Sequence, residues 1–156
     1  MPVDPIPEGF ATITAHLCCD GCAQAIDFYK NAFGAQELCR HLTPDGKIMH
    51  ATLRIGSSVF MLNDDFPEMC AGVSASPRPL ARSPVTIHLY VEDTDAVMQA
   101  AADAGARVTM PAQDMFWGAR YGRVRDPFGH EWSVGTQIKD MSSQEMEDAA
   151  KHAFYH

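Results

Sequence analysis

Hydrophobic and polar positions alternate at two places in the chain, and each alternation is followed by a helical period. In "ATITAHLC", Ala11 to Cys18, the residues Ile13, Ala15 and Leu17 alternate with Thr12, Thr14, His16 and Cys18, which is the period of a half-buried strand. After Asp20, the positions Ala23, Ile26, Phe28, Tyr29 and Phe33 recur at roughly helical spacing, and Gly34 closes the run. Strands are predicted over 37–43, 48–55 and 58–62, separated by the turn "PDGK" at Pro44 to Lys47 and by Gly56. The order is β, α, β, β, β.

The stretch 64–83, containing "GVSASPRPLARSP", is rich in Pro, Ser and Ala without periodicity, and reads as a linker. Beyond it the pattern restarts. Val85, Ile87, Leu89 and Val91 alternate with Thr86, His88 and Tyr90, "EDTDAVMQAAADAGA" reads as a capped helix ending at Gly105, and strands follow over 107–111, 120–125 and 131–135. Thr86 and His88 lie 72 positions after Thr14 and His16, Gly105 lies 71 after Gly34, and Gly129 lies 73 after Gly56. The chain is therefore expected to hold an internal repeat: a first βαβββ module (1–63), the linker (64–83), a second βαβββ module (84–137) and a C-terminal helix (138–156). In that helix Ser142 and Glu145 have capping-box spacing, and Met146, Ala149, Ala150, Ala153 and Phe154 share one face for docking on this domain or on a partner chain.

A single helix covers one face of a sheet. The expected fold class is therefore α+β, with two βαβββ modules in tandem curling their uncovered faces into a concave, incompletely closed eight-stranded barrel-like sheet. Strand parity assigns Thr14, His16, His50, Thr52, Arg54, Thr86, His88, Tyr90, Glu131 and Ser133 to the cavity face. Ile13, Leu17, Ile87, Leu89, Trp132 and Val134 are assigned to the helix side.

Composition narrows the function classes. The net charge of -8, from 12 Lys+Arg and 20 Asp+Glu, and the lack of a basic stripe argue against nucleic acid as a partner. No apolar run approaches the roughly 20 residues of a membrane helix, and no secretory signal is evident, so a cytoplasmic protein without a membrane partner is expected. The five cysteines are odd in number and are expected to be reduced thiols. Cys19 and Cys22 have C-x-x-C spacing at a strand-to-helix junction, but the equivalent junction of the repeat, "YVEDTDAV", carries acids instead of thiols. The junction thus has a structural job that needs no sulfur. Cys22, near a helix N-terminus, is expected to alkylate faster than Cys39.

Three segments in order, "AIDFYKNAFGA" at Ala25 to Ala35, "MHATLRIGSSVFMLND" at Met49 to Asp64 and "FWGARYGRVRDPFGHEWSV" at Phe116 to Val134, resemble the vicinal-oxygen-chelate superfamily, and more narrowly its PhnB-like branch of glyoxalase/bleomycin-resistance proteins. The resemblance spans about residues 8–140. It implies paired βαβββ modules, a homodimer, and a cavity that is a metal-dependent lyase, isomerase or dioxygenase site in some members and a drug-sequestering pocket in others. Metal-dependent members take ligands from the first and last strand of each module. Those positions fall here on Thr14, Thr86, Phe60 or Met61, and Ser133, none a good ligand for a divalent ion that needs about three imidazole or carboxylate donors. No cofactor is expected, and a divalent metal is disfavoured.

His16, His88 and Glu131 stand two residues from these positions on the same faces. Three readings stay open for them: hydrogen bonding across a wet wall, acid/base work, or a displaced metal site in a lyase or isomerase. His50 lines the cavity without a further role. In "DMFWGARYGR", Phe116 and Trp117 could stack on a planar ligand at a pocket mouth while Arg120, Arg123 or Arg125 holds an anion, with Tyr121 a further ligand-binding candidate; equally, the aromatics could plug the barrel and the arginines pair with acids. "DPFG" at Asp126 to Gly129 reads as a type I turn. The expected function is the binding of a small organic molecule between the modules without the usual catalytic metal. The alternatives are the displaced-site enzyme and an antibiotic-sequestering resistance protein.

Overall fold

Both alternating stretches become the first strand of a four-stranded mixed sheet, in two units spanning Met1–Ser83 and Pro84–His156. The computed structural model describes residues 4–78 and 83–155. The first unit runs β1 (His16–Cys19), α1 (Cys22–Phe33), β2 (Gln36–Leu42), β3 (Ile48–Ile55) and β4 (Ser58–Asp64). The second runs β5 (Thr86–Tyr90), α2 (Thr94–Asp103), β6 (Arg107–Asp114), β7 (Ala119–Arg125), β8 (Glu131–Gln137) and α3 (Ser143–Tyr155). The sheet orders, β1-β4-β3-β2 and β5-β8-β7-β6, are the same, and in each the first strand is parallel to the last. The fold is α+β with two tandem βαβββ modules, and neither sheet closes on itself.

The repeat holds at the level of register. His16 stands opposite Met61 and His88 opposite Ser133, each member 72 positions after its counterpart. Equivalent strands therefore present equivalent side chains on equivalent faces.

In the first unit Leu17, Cys19, Ala51, Leu53, Phe60 and Leu62 are buried together with Cys22, Ala25, Ile26 and Tyr29 of α1. Removing this surface from water is the main force that seats the helix. In the second unit Trp132, Val134 and Val124 are buried with Met98 and Ala101 of α2. Gly122 permits that contact, because a Cβ there would lie 2.8 Å from Met98 Cε and 3.2 Å from Ala112 Cα. The α1 helix ends at Gly34 in the left-handed region (φ 67°), while Asp93 caps α2 by accepting from the Ala96 N–H at 3.0 Å. The capping box of α3 forms in both directions: Glu145 N–H donates to Ser142 Oγ at 3.2 Å and Ser142 N–H to Glu145 Oε2 at 2.8 Å.

The "DPFG" turn closes with Gly129 N–H donating to Asp126 C=O at 3.1 Å. Asp126 does more than start it. Buried at 3% exposure, it accepts from the backbone N–H of Phe128 and His130 and from the Trp132 indole, each at 2.9 Å, tying the turn to the largest core side chain of the unit.

Two expectations need correction. The first strand begins at His16, not at Ala11, so Thr14 lies outside it with its hydroxyl donating to Ala11 C=O at 3.2 Å, and Ile13 is 90% exposed instead of buried. β4 supplies His16–Cys19 with parallel partners, and its last hydrogen bond in that direction runs from Met61 N–H to Ala15 C=O at 2.9 Å, so the alternation from Ala11 to Thr14 is outside the register of this pairing. The linker expected over 64–83 overlaps β4 at Asp64 and contains a single 3-10 turn, Pro67–Met69, with 79–82 outside the described residues.

Candidate functional site

The uncovered face of the second sheet carries Thr86, His88 and Tyr90 from β5, Glu131, Ser133 and Gly135 from β8, and Tyr121, Arg123 and Arg125 from β7, because register pairs them across the three strands. At one end of this face lies a cavity of about 410 Å³ whose walls include His88, Tyr90, Trp117, Gly135, Gln137 and Met146. The last belongs to α3, so the C-terminal helix contributes to the site.

His88 is the most constrained polar group of the cavity. Its Nδ1 is 2.7 Å from Ser133 Oγ, directly across the β5–β8 pairing. The Tyr90 ring stands perpendicular to it at 4.4 Å, and the Tyr121 ring lies nearly parallel at 6.0 Å. A Cβ on Gly135 would sit 3.0 Å from His88 Cε1 and 3.3 Å from Nε2. Glycine at this position therefore makes room for the Cε1–Nε2 edge of the ring. Burial lowers the pKa of His88 from its ordinary value, which keeps the imidazole neutral near pH 7.

The aromatic residues continue from there. Trp117 is edge-on to Tyr121 at 5.4 Å and to Phe116 at 5.0 Å, in the short turn between β6 and β7. The expected mouth loop is thus confined to 115–118, and Arg120, Tyr121 and Arg123 are strand residues. The arginines are held by neighbours. Arg120 pairs with Asp95 at 2.8 Å and Asp114 at 3.3 Å, Arg123 donates to Thr86 Oγ1 at 2.8 Å, and Arg125 pairs with the buried carboxylate of Glu131 at 2.5 Å. Of the two readings left open for these arginines, pairing with acids describes Arg120 and Arg125.

The first unit carries its own uncovered face. His16, Met61, Thr52 and Cys39 form one row across β1, β4, β3 and β2, and His50 bonds through Nε2 to Thr52 Oγ1 at 3.0 Å. The rings of His16 and His41 each stand 6.2 Å from His50. Burial, followed by the nearby His16 and His41, lowers the His50 pKa. Phe60 is not on this face. It packs beneath α1 against Tyr29 at 5.7 Å with 6% exposure, because the register of β4 turns Met61, not Phe60, toward His16.

These placements test whether the superfamily's metal positions can hold a divalent ion. The donors would be the Thr14 hydroxyl outside the strand, the Met61 thioether, the Thr86 hydroxyl held by Arg123, and the Ser133 hydroxyl held by His88. Four neutral groups without an imidazole or carboxylate do not fit a catalytic divalent ion. Of the displaced set, His88 bonds to Ser133 and Glu131 to Arg125, while His16 belongs to the other unit. Among the described residues of either unit, no three His, Cys, Asp or Glu side chains gather as a metal site.

The cysteine expectation also changes. Cys22 is fully buried and its thiol is pushed up to about 12, chiefly by burial and then by Asp64, whose carboxylate accepts from the Cys22 N–H at 2.8 Å. Cys39 is half-buried and Cys70 exposed.

Sequence reasoning placed His88, Trp117 and Ser133 at the site but missed Gly135, Gln137 and Met146 as wall residues. Gly135 stood at the predicted strand's end, and its closeness to an imidazole on the neighbouring strand β5 leaves no local signal.

The family model for the glyoxalase/bleomycin resistance protein/dioxygenase superfamily matches residues 10–134. An uncharacterized protein of Mycobacterium tuberculosis is 50% identical over 137 residues, covering 88% of this chain and 81% of its own length. Among solved structures, an Arabidopsis thaliana gene product superposes with a TM-score of 0.64 at 29% identity, over 80% of this chain and 98% of the other. TioX from Micromonospora superposes with 0.62 at 25% identity, over 82% and 99%. A PhnB protein from Bacillus cereus shares the fold, with a TM-score of 0.60 at 16% identity, over 81% and 99%. No helix among the described residues is long and apolar enough to cross a membrane. With the register-level repeat and the βαβββ order, the match over most of its length makes this chain a member of the glyoxalase/bleomycin resistance protein/dioxygenase superfamily.

Proposed function

We propose that the protein binds a small, planar organic molecule in the cavity of its second unit, without a divalent metal at the superfamily's ligand positions. The observation that carries this reading is the composition of the cavity beside His88. Its walls combine the rings of Tyr90 and Trp117 with one neutral imidazole, one amide from Gln137 and one thioether from Met146, so that surfaces for stacking stand beside hydrogen-bonding groups. Such a wall favours a flat conjugated ligand over a strongly charged one, and the nearby arginines already have partners. A homodimer and a cytoplasmic location belong to the same reading. Ile13, 90% exposed, offers apolar surface for a second copy to cover.

The test is a thermal-shift screen of flat aromatic and conjugated carbonyl compounds against aliphatic anions, run beside metal analysis of protein purified without chelator. A ligand that binds only the folded state raises the melting temperature with concentration. Shifts with the flat compounds on metal-poor protein support the reading, and stoichiometric tightly bound zinc, nickel or iron defeats it.

A further inference from the structure

The C-terminal helix is fixed firmly at its base and only lightly covered along its length. Gly118 C=O accepts from the N–H of Ile138 at 2.9 Å and of Lys139 at 3.1 Å, and a Cβ on Gly118 would lie 2.6 Å from Lys139 C=O and 3.2 Å from Met141 Sδ. The segment that leads into α3 is thus held against the same turn that carries Trp117. Gln137 Nε2, donating to Asp140 Oδ1 at 2.6 Å, spans the bend between β8 and that segment. Beyond the bend, Ala149 and Ala150 are half-buried and the other residues of 143–153 are exposed. Met146, 39% exposed, still forms part of the wall of the 410 Å³ cavity, with Tyr90 and Trp117 among the other wall residues. With 13 residues α3 sits at the length, about 12–15 residues, where a helix is marginal in water without packing. Its capping box starts the helix, and the packing it lacks is available only at the cavity wall that Met146 already joins.

We propose that α3 is a strap over the cavity of the second unit, which docks and undocks in the free protein and is clamped down by a planar ligand held between Met146 and the rings of Tyr90 and Trp117. The proposal rests on the cavity as a binding site and adds to it the element that controls entry and release. A flat ligand gives the Met146 thioether an aromatic face to pack on and removes apolar surface of Met146, Ala149 and Ala150 from water. That contact exists only while α3 is helical and docked. The ligand therefore binds the docked state more tightly and shifts the equilibrium toward it by that difference in affinity. By the same linkage a docked strap holds the ligand longer. The contact of Gly118 with 138–139 and the capping box of Ser142 and Glu145 are each local to one side of residues 141–142, so the helix pivots there without losing either.

The test follows amide hydrogen exchange of the intact chain by mass spectrometry, with and without 2-indanone as probe, and uses Trp117 fluorescence quenching as a separate report of binding. Without the probe, the amides of α3 should exchange faster than those of α1, whose Ala25, Ile26 and Tyr29 are fully buried. With the probe at about ten times its quenching midpoint, exchange in α3 should slow about tenfold, because a ligand that binds one state favours it in proportion to its concentration over Kd. Met146→Ala should raise the quenching midpoint about tenfold and remove the slowing. Lys151→Gln, at an exposed position on the opposite side of the helix, should change neither. Quenching with unchanged exchange in α3 overturns the proposal and leaves the binding reading standing. An α3 as protected as α1 before the probe is added also overturns it, because such a helix is a fixed wall. The absence of quenching overturns it and counts against the cavity as a site for planar carbonyl compounds.

Discussion

The two uncovered sheet faces start from the same register and end differently. In the first unit His16 stands opposite Met61, and in the second, 72 positions on, His88 stands opposite Ser133. His16 is exposed and meets another histidine edge-on at 6.2 Å. His88 is exposed as well, but it is bonded at Nδ1 and flanked by two tyrosines. A hydroxyl where the other module has a thioether gives one of two exposed histidines an anchor for its ring. The duplicated fold supplies the position, and the residue across the parallel pair decides what the position can do.

The largest expected effect comes from removing what the second face rests on. Trp132→Ala deletes the biggest buried side chain and leaves the Asp126 carboxylate without its indole donor, and a loss of about 3–5 kcal/mol in urea unfolding is expected. Exchanging the two divergent residues tests the comparison itself. Ser133→Met forces a longer side chain into a site 3% exposed and should cost about 1–3 kcal/mol, whereas Met61→Ser, on a half-buried position of the other face, should cost less. Equal losses would show that the two rows are not packed differently.

A smaller effect is expected from pH. Burial lowers the pKa of His88, and burial with His16 and His41 lowers that of His50, each from an ordinary 6.5. As pH falls through about 6.5 toward those lowered values, the unfolded chain binds more protons than the folded one, so the stability is full above that range and is lost below it. The urea midpoint should fall between pH 7.5 and 5.5, and His88→Gln should flatten the fall. The smallest effect leaves stability untouched: iodoacetamide should label Cys70 first, Cys39 next and Cys22 last, reversing the order that a helix N-terminus alone implies.

How far the sequence foretold this molecule follows from the range of each signal. Periodicity is local, so strands such as Ile48–Ile55 and the capping box of Ser142 and Glu145 could be read directly. Parity placed Leu17, Trp132 and Val134 beneath helices and His88 and Ser133 on the other side. It misplaced Ile13, because alternation makes a strand only where a neighbour supplies hydrogen bonds, and β4 ends its pairing at His16. One residue of ambiguity left Phe60 and Met61 unresolved, and a shift of one residue in a strand exchanges the faces. The contact between Gly135 and His88, 47 residues apart in the chain, depends on β5 lying beside β8. The burial of Cys22 likewise depends on Asp64 returning to the start of α1.

Trp117 offers the most direct measurement, since it lines the cavity and the other tryptophan, Trp132, is 1% exposed. Its fluorescence is titrated with 2-indanone before and after exhaustive dialysis against EDTA, with Trp117→Phe as the blank. The account predicts saturable quenching with the same midpoint in both samples and none in the variant. Quenching that disappears with the chelator and returns with added zinc, nickel or iron would contradict it.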